Sequence, residues 1–224
     1  MENPHGGQPL LRIGEALESA RAAMILVHGR GASARDIMTV GQALISPGWA
    51  YLAPQAQGGT WYPNRFSDPT GSNQPWLDSA LRVLSELLAM VEESVPADRV
   101  ILLGFSQGAC LTLEFAARNA RRYGGLVGLS GGLIGRDAIP RDYPGSLDGT
   151  PVFLGCSDVD PHIPKERATD AAEVLGRLGG EVTLRLYPGM GHTINQEELN
   201  FVGDMTAALV SPTTGVQAND GEPR

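Results

Sequence analysis

Short apolar runs alternate with stretches of helical periodicity along most of the chain, and that alternation restricts the fold more than any other feature. The runs lie at residues 23–27, 50–53, 100–103, 126–129, 152–155 and 182–187. Helical spacing is read over residues 74–93, 107–120, 165–178 and 196–209; in the first of these, Leu77, Leu81, Leu84, Leu88 and Val91 share one face. Strands alternating with helices predict a mostly parallel sheet of about six to seven strands with helices on both faces. A chain of 224 residues fills one such α/β domain and is short for two. The domain is expected over residues 1–210, with no internal repeat and no linker. Residues 211–224 are rich in Pro, Thr, Gly and acidic or amide side chains and are expected to be a weakly ordered tail.

Charge and apolar content narrow the class of partner. The formal net charge is −8, which disfavours nucleic acid and anionic membrane surfaces, since both attract basic patches. No apolar run approaches the roughly 20 residues of a membrane span. The first eight residues are polar and lack the apolar stretch of a signal peptide. The two cysteines, Cys110 and Cys156, each sit in an apolar run, which predicts buried free thiols and a cytoplasmic setting. No Cys/His cluster with metal-ligand spacing occurs, so neither metal nor cofactor is expected.

Two connections exceed ordinary loop lengths, residues 55–73 and 130–150. The first holds Trp61, Tyr62 and Phe66, which read either as a substrate-facing wall or as cover for the core. Those three, with Leu133 in the second loop, are the expected acyl pocket.

The chemistry centres on Gly104-Phe105-Ser106-Gln107-Gly108, a G-x-S-x-G sequence. Its context makes it specific: it follows the apolar run ending at Leu103 and opens a helical stretch, as a nucleophile elbow does. A bare strand-to-helix turn with a serine cap is the plain alternative. A serine hydroxyl needs a base to take its proton. His5 lies in the terminal segment and is set aside. His28 precedes the serine. His192 follows the last strand in a glycine-rich loop, at the strand edge where catalytic groups gather, and it fits the chain order serine, acid, histidine. His162 is the rival base, or a residue that lines the site or caps the next helix. Asp158 and Asp160 both follow the run ending at Gly155 and compete as the acid. Asp160 is favoured because Pro161 holds it extended. Two oxyanion donors are expected, the backbone N–H groups of Gln107 and of Arg30 in His28-Gly29-Arg30-Gly31. The Arg30 guanidinium has two open readings, a bystander or a ligand for a substrate carboxylate. The His28 side chain reads as structural.

These stretches, together with Asp160-Pro161-His162-Ile163-Pro164 and Gly191-His192, resemble the phospholipase/carboxylesterase family in content and order over residues 10–209. The resemblance implies an α/β-hydrolase fold as a minimal αβα sandwich without a cap domain, often dimeric. It implies Ser106 as nucleophile, Asp160 as acid, His192 as base, and Arg30 and Gln107 as backbone donors. The first clear strand begins after about 22 residues, so the leading antiparallel hairpin of larger members is expected to be missing. The eukaryotic thioesterases of the family carry an apolar residue where this chain has Arg30, and the chain looks closer to bacterial carboxylesterases. The expected activity is hydrolysis of small to medium acyl esters. An acyl thioesterase, a lysophospholipase or a dienelactone-type hydrolase is the alternative within enzymes, though the last usually has cysteine in place of Ser106. A non-catalytic binding module with this fold is the alternative outside them.

Overall fold

Seven strands form one sheet in the order β1-β3-β2-β4-β5-β6-β7. The computed structural model describes residues 2–136 and 141–210. The strands are β1 (Leu10–Gly14), β2 (Ala22–Val27), β3 (Trp49–Pro54), β4 (Val100–Phe105), β5 (Gly125–Leu129), β6 (Pro151–Ser157) and β7 (Glu181–Tyr187). The helices are α1 (Ala34–Ala43), α2 (Trp76–Glu92), α3 (Gln107–Arg118), α4 (Lys165–Arg177) and α5 (Gln196–Val210). All neighbouring pairs are parallel except β1 with β3. This is the α/β-hydrolase-like architecture expected from the alternating pattern.

Every residue of β2, β3 and β5 is buried, because both faces of the sheet are covered. Along β2 the side chains divide by parity. Ala23, Ile25 and Val27 join the core under α2, α3 and α4, whereas Ala22, Met24 and Leu26 join the core under α1 and α5. The result is a three-layer αβα sandwich with three helices on one face and two on the other.

Two elements were not expected. β1 lies antiparallel to β3, with Leu10 opposite Pro54 and Gly14 opposite Ala50. Among the described residues one antiparallel strand precedes β2. As an edge strand it is only partly buried, and Arg12 and Gly14 interrupt its apolar residues Leu10, Leu11 and Ile13. α1 opens on a capping box in which Asp36 N–H donates to Ser33 Oγ and Ser33 N–H donates to Asp36 Oδ2. Its apolar stripe is short, Ile37, Met38 and Val40. No described helix is long and apolar enough to cross a membrane. Both cysteines are free and buried. Residues 211–224 lie outside the described residues, so the expected tail does too.

The chain runs β2 to β3 on one side of β2, then returns to place β4 on the other. The loops after β2 and β4 therefore meet at the carboxyl edge of the sheet, where an α/β sheet opens a crevice.

Candidate active site

Ser106 stands at the tip of β4 with φ 54° and ψ −119°. Serine rarely adopts a positive φ, so the surrounding structure must hold it there. Its N–H donates to the Leu129 carbonyl (2.9 Å), and its carbonyl receives the first intrahelical bond of α3 from Cys110 (3.0 Å). The turn is possible because the first turn of α3 presses on the end of β2. A Cβ on Gly108 would lie 2.1 Å from the Val27 carbonyl oxygen, and one on Gly104 would lie 2.3 Å from the Gly108 oxygen. No larger residue fits at either position. Ser106 occupies the cap position of α3, yet its side chain makes no capping bond. The hydroxyl turns instead to His192.

The Ser106 Oγ to His192 Nε2 distance is 2.8 Å, and the His192 Nδ1 to Asp160 Oδ2 distance is 2.7 Å. An ionised carboxylate can only accept, so Nδ1 carries the proton and Nε2 is left to accept from Ser106. The other Asp160 oxygen accepts from the N–H groups of His162 (2.8 Å) and Ile163 (3.0 Å). Burial alone would push the Asp160 carboxyl up; the bonds from His192, His162 and Ile163 outweigh it and hold the group below the usual carboxylate range. Among the described residues Asp158 makes no hydrogen bond to the histidine. Its Oδ1 accepts from Gly189 N–H (2.8 Å), which ties the loop after β6 to the loop after β7.

The loop after β2 lies against the serine: a Cβ on Gly29 would sit 3.3 Å from the Ser106 Cβ. Among the described residues, neither the Arg30 nor the Gln107 backbone N–H has a protein acceptor. The Arg30 guanidinium, in contrast, makes three hydrogen bonds to backbone. It donates to the carbonyls of Tyr62 (3.0 Å), Pro63 (2.8 Å) and Asn64 (2.5 Å). It thus joins the loop after β2 to the aromatic loop after β3. Gln107 reinforces the same joint, accepting from Trp61 N–H (2.9 Å) and donating to the Tyr62 carbonyl (2.8 Å).

A cavity of about 860 Å³ opens over Ser106 and His192, walled by Arg30, Tyr62, Phe66, His162, Ile163 and Arg167. Its size falls within the range of about 300–1,000 Å³ usual for small-ligand sites. Three of the expected pocket residues, Tyr62, Phe66 and His162, line it. His162 also meets His192 edge-on, ring centres 4.8 Å apart. Trp61 and Leu133 do not line it, which corrects their assignment. Trp61 is fully buried, with its indole N–H donated to the His28 carbonyl (2.9 Å). Leu133 turns its side chain into the core and offers only its carbonyl to Arg167 (2.5 Å). Arg167 was missed. It lies over the Phe66 ring at 4.9 Å and, although charged, shares the buried stripe of α4 with Ala171, Val174 and Leu175. An arginine on an apolar stripe was the available signal. Among the described residues no group of three or more His, Cys, Asp or Glu side chains could hold a metal ion.

His5 was set aside as a terminal residue, and the structure corrects that. It is buried, donates from Nε2 to the Trp61 carbonyl (2.9 Å) and accepts at Nδ1 from Gln57 N–H (3.1 Å). His28 mirrors it, donating to the Gly29 carbonyl (2.8 Å) and accepting at Nε2 from Ala56 N–H (3.1 Å). Trp61 sits between the two imidazoles, with ring centres 5.3 Å and 5.0 Å away. Two consecutive backbone donors thus end on two buried imidazoles that must be neutral to accept them. Burial lowers the proton affinity of both histidines below the ordinary value, against smaller opposing contributions from their carbonyl partners. In the unfolded chain both take up protons near pH 6.5. Below that pH the unfolded chain gains protons that the folded chain refuses, so the contribution of these two groups to stability is full above about 6.5 and declines below it. Between pH 7.5 and 5.5 the urea midpoint of the wild type should therefore fall further, or rise less, than that of His5→Gln. Equal sensitivity in both proteins would mean that His5 does not stay neutral in the fold.

Residues 9–210 match the family model described as Phospholipase/Carboxylesterase. The chain is 26% identical to acyl-protein thioesterase 1 of Debaryomyces hansenii, over 88% of this chain and 97% of that protein. It is 29% identical to acyl-protein thioesterase 1 of Candida albicans, over 84% and 92%. Among solved structures, the phospholipase/carboxylesterase of Dyadobacter fermentans superposes with a TM-score of 0.85 at 39% identity, covering 88% of this chain and 95% of that one.

Proposed function

Since this chain belongs to the phospholipase/carboxylesterase family of hydrolases, we propose that it is a serine carboxylesterase acting through Ser106, His192 and Asp160. The observation that carries this reading is the unbroken hydrogen-bond chain from Asp160 to His192 to Ser106, 2.7 and 2.8 Å long. His192 Nε2 takes the proton as Ser106 Oγ attacks the ester carbonyl. Asp160, anchored by two backbone N–H groups, holds the imidazole in the required tautomer and stabilises its cation. The N–H groups of Arg30 and Gln107 receive the oxyanion; both belong to segments that Arg30 and Gln107 themselves brace through the aromatic loop. His192 then protonates the departing alcohol. Water, deprotonated by the same nitrogen, releases the acid from Ser106.

In this reading Arg30 acts through its backbone and as a brace. Its guanidinium is spent on three carbonyls rather than aimed at a substrate carboxylate. Cavity size and mixed lining suit small to medium acyl groups. The buried thiols suit a cytoplasmic setting. A second reading, acyl thioester hydrolysis, is favoured by the relatives named acyl-protein thioesterase 1. A chain-length series of p-nitrophenyl esters, run beside acyl thioesters of matched length, tests the choice. The expected outcome is a higher kcat/KM on the esters, falling beyond medium chains. Turnover confined to the thioesters would replace the first reading with the second.

A further inference from the structure

We propose that Glu198 is a positioning residue for the base, tying the loop that carries His192 to the strand that leads to Asp160. The inference rests on the reading of His192 as the base. Glu198 lies in the first turn of α5 and is fully buried. Its Oε2 accepts from Asn195 N–H (2.8 Å), and Asn195 Oδ1 accepts from Glu198 N–H (2.9 Å). The Asn195 side-chain amide in turn donates to Met190 Sδ (3.0 Å), while the Met190 carbonyl accepts from Ser157 Oγ at the end of β6. His192 is therefore strung between two fastenings, Met190 and Asn195, and Glu198 secures the second.

The other carboxyl oxygen is what separates this group from an ordinary helix cap. Capping carboxylates normally stay in water, where they stabilise the helix end at little cost. Glu198 Oε1 is buried with no hydrogen-bond partner and is pressed against β6, where a Cβ on Gly155 would lie 2.1 Å from it. Position 155 must be glycine for the carboxyl to enter. From there β6 runs on to Asp160, so Glu198 touches the supports of both the acid and the base. An unpartnered buried carboxyl is expensive, and its place beneath the site gives it a use.

Among the described residues no counter-charge acts on it. Cys156 of β6 and Tyr187 of β7, both pushed up first by burial, lie near enough for its charge to push them up further. Glu197 adds repulsion, while Arg185 of β7 is paired with Glu197. Burial first, and Glu197 after it, push the Glu198 carboxyl up to about 7 against the pull of Asn195 N–H. Since this value lies above that of the unfolded chain, the group opposes folding increasingly as pH rises from about 4.5 to about 7. Ionisation leaves a charge on Oε1 with no donor. Withdrawing that oxygen from Gly155 would carry Asn195, and with it the His192 loop, out of register.

The test is kcat and KM on a neutral p-nitrophenyl ester from pH 5.5 to 9 for the wild type, Glu198→Gln and Glu198→Ala, with melting temperatures alongside. Glutamine keeps an acceptor for Asn195 but cannot ionise. The ratio of Glu198→Gln kcat to wild-type kcat should rise several-fold through pH 7, with KM little changed. Alanine, which loses the cap, should lower kcat about tenfold below about pH 6, the equivalent of one lost hydrogen bond of about 1.4 kcal/mol, with the gap narrowing above about pH 7 as the wild type itself falls. A pH-independent ratio in an active wild type overturns the proposal, as does an alanine variant of normal kcat. A wild type with no ester turnover at any pH would instead refute the esterase reading.

Discussion

Replacing Ser106 with alanine should lower kcat for ester hydrolysis by about 10⁶-fold, since a triad loses nearly all its advantage with its nucleophile. The fold should survive. The hydroxyl makes a single described bond, to His192, and does not cap α3. Alanine tolerates the positive φ no worse than serine does, so the strain of the turn is unchanged. The melting temperature should stay within a few degrees of the wild type, since losing one hydrogen bond changes stability by only about 1 kcal/mol. Retention of more than about 1% of the activity in the alanine variant would require a different nucleophile, because background catalysis by the remaining groups is orders of magnitude smaller.

Asp160→Asn should lower kcat by about 10⁴-fold, the scale seen when a triad carboxylate becomes an amide and the histidine tautomer is lost. The geometry states why. Asp160 Oδ1 is held by two backbone N–H groups, which leaves Oδ2 facing His192 Nδ1. In asparagine the carbonyl oxygen would keep the backbone donors, and the amide nitrogen would then face Nδ1 as a donor. The neutral imidazole would have to accept there and carry its proton on Nε2, where the nucleophile needs a free lone pair. Asp158→Asn should cost less than about tenfold, because its described side-chain partner, Gly189 N–H, is served equally by an amide oxygen. Measured kcat for the two variants decides between the carboxylates; a reversed ranking would assign the acid to Asp158.

Much of this was legible in the sequence, because the fold and the site share a cause. Strands buried on both faces must be apolar throughout, so β2, β4 and β5 announce themselves. A serine held at positive φ on a strand tip must be flanked by glycines, so the turn at Ser106 announces itself as well. Ser106, Asp160 and His192 follow one another along the sequence in the order in which the chain visits the carboxyl edge of the sheet. β1 escaped because Arg12 and Gly14 break its short apolar run, and α1 because its buried stripe spans barely one turn beyond its cap. The roles of His5 and Trp61 could not be read because each depends on a meeting between distant segments. A terminal histidine looks dispensable until Trp61 and Gln57 are seen to need its two nitrogens. The Arg30 side chain is a similar case. The oxyanion motif speaks only of its backbone, and its three carbonyl partners lie more than thirty residues downstream.

The most direct test of the central claim is covalent trapping. The wild-type protein, Ser106→Ala and heat-denatured wild type would each be treated with a fluorophosphonate, and the products examined by intact mass and peptide mapping. A single adduct on Ser106 is predicted in the folded wild type, with none in the other two samples, since only the assembled Asp160–His192–Ser106 chain activates the hydroxyl. An adduct on any other residue, or an unlabelled Ser106 in protein that still turns over ester, would contradict the account.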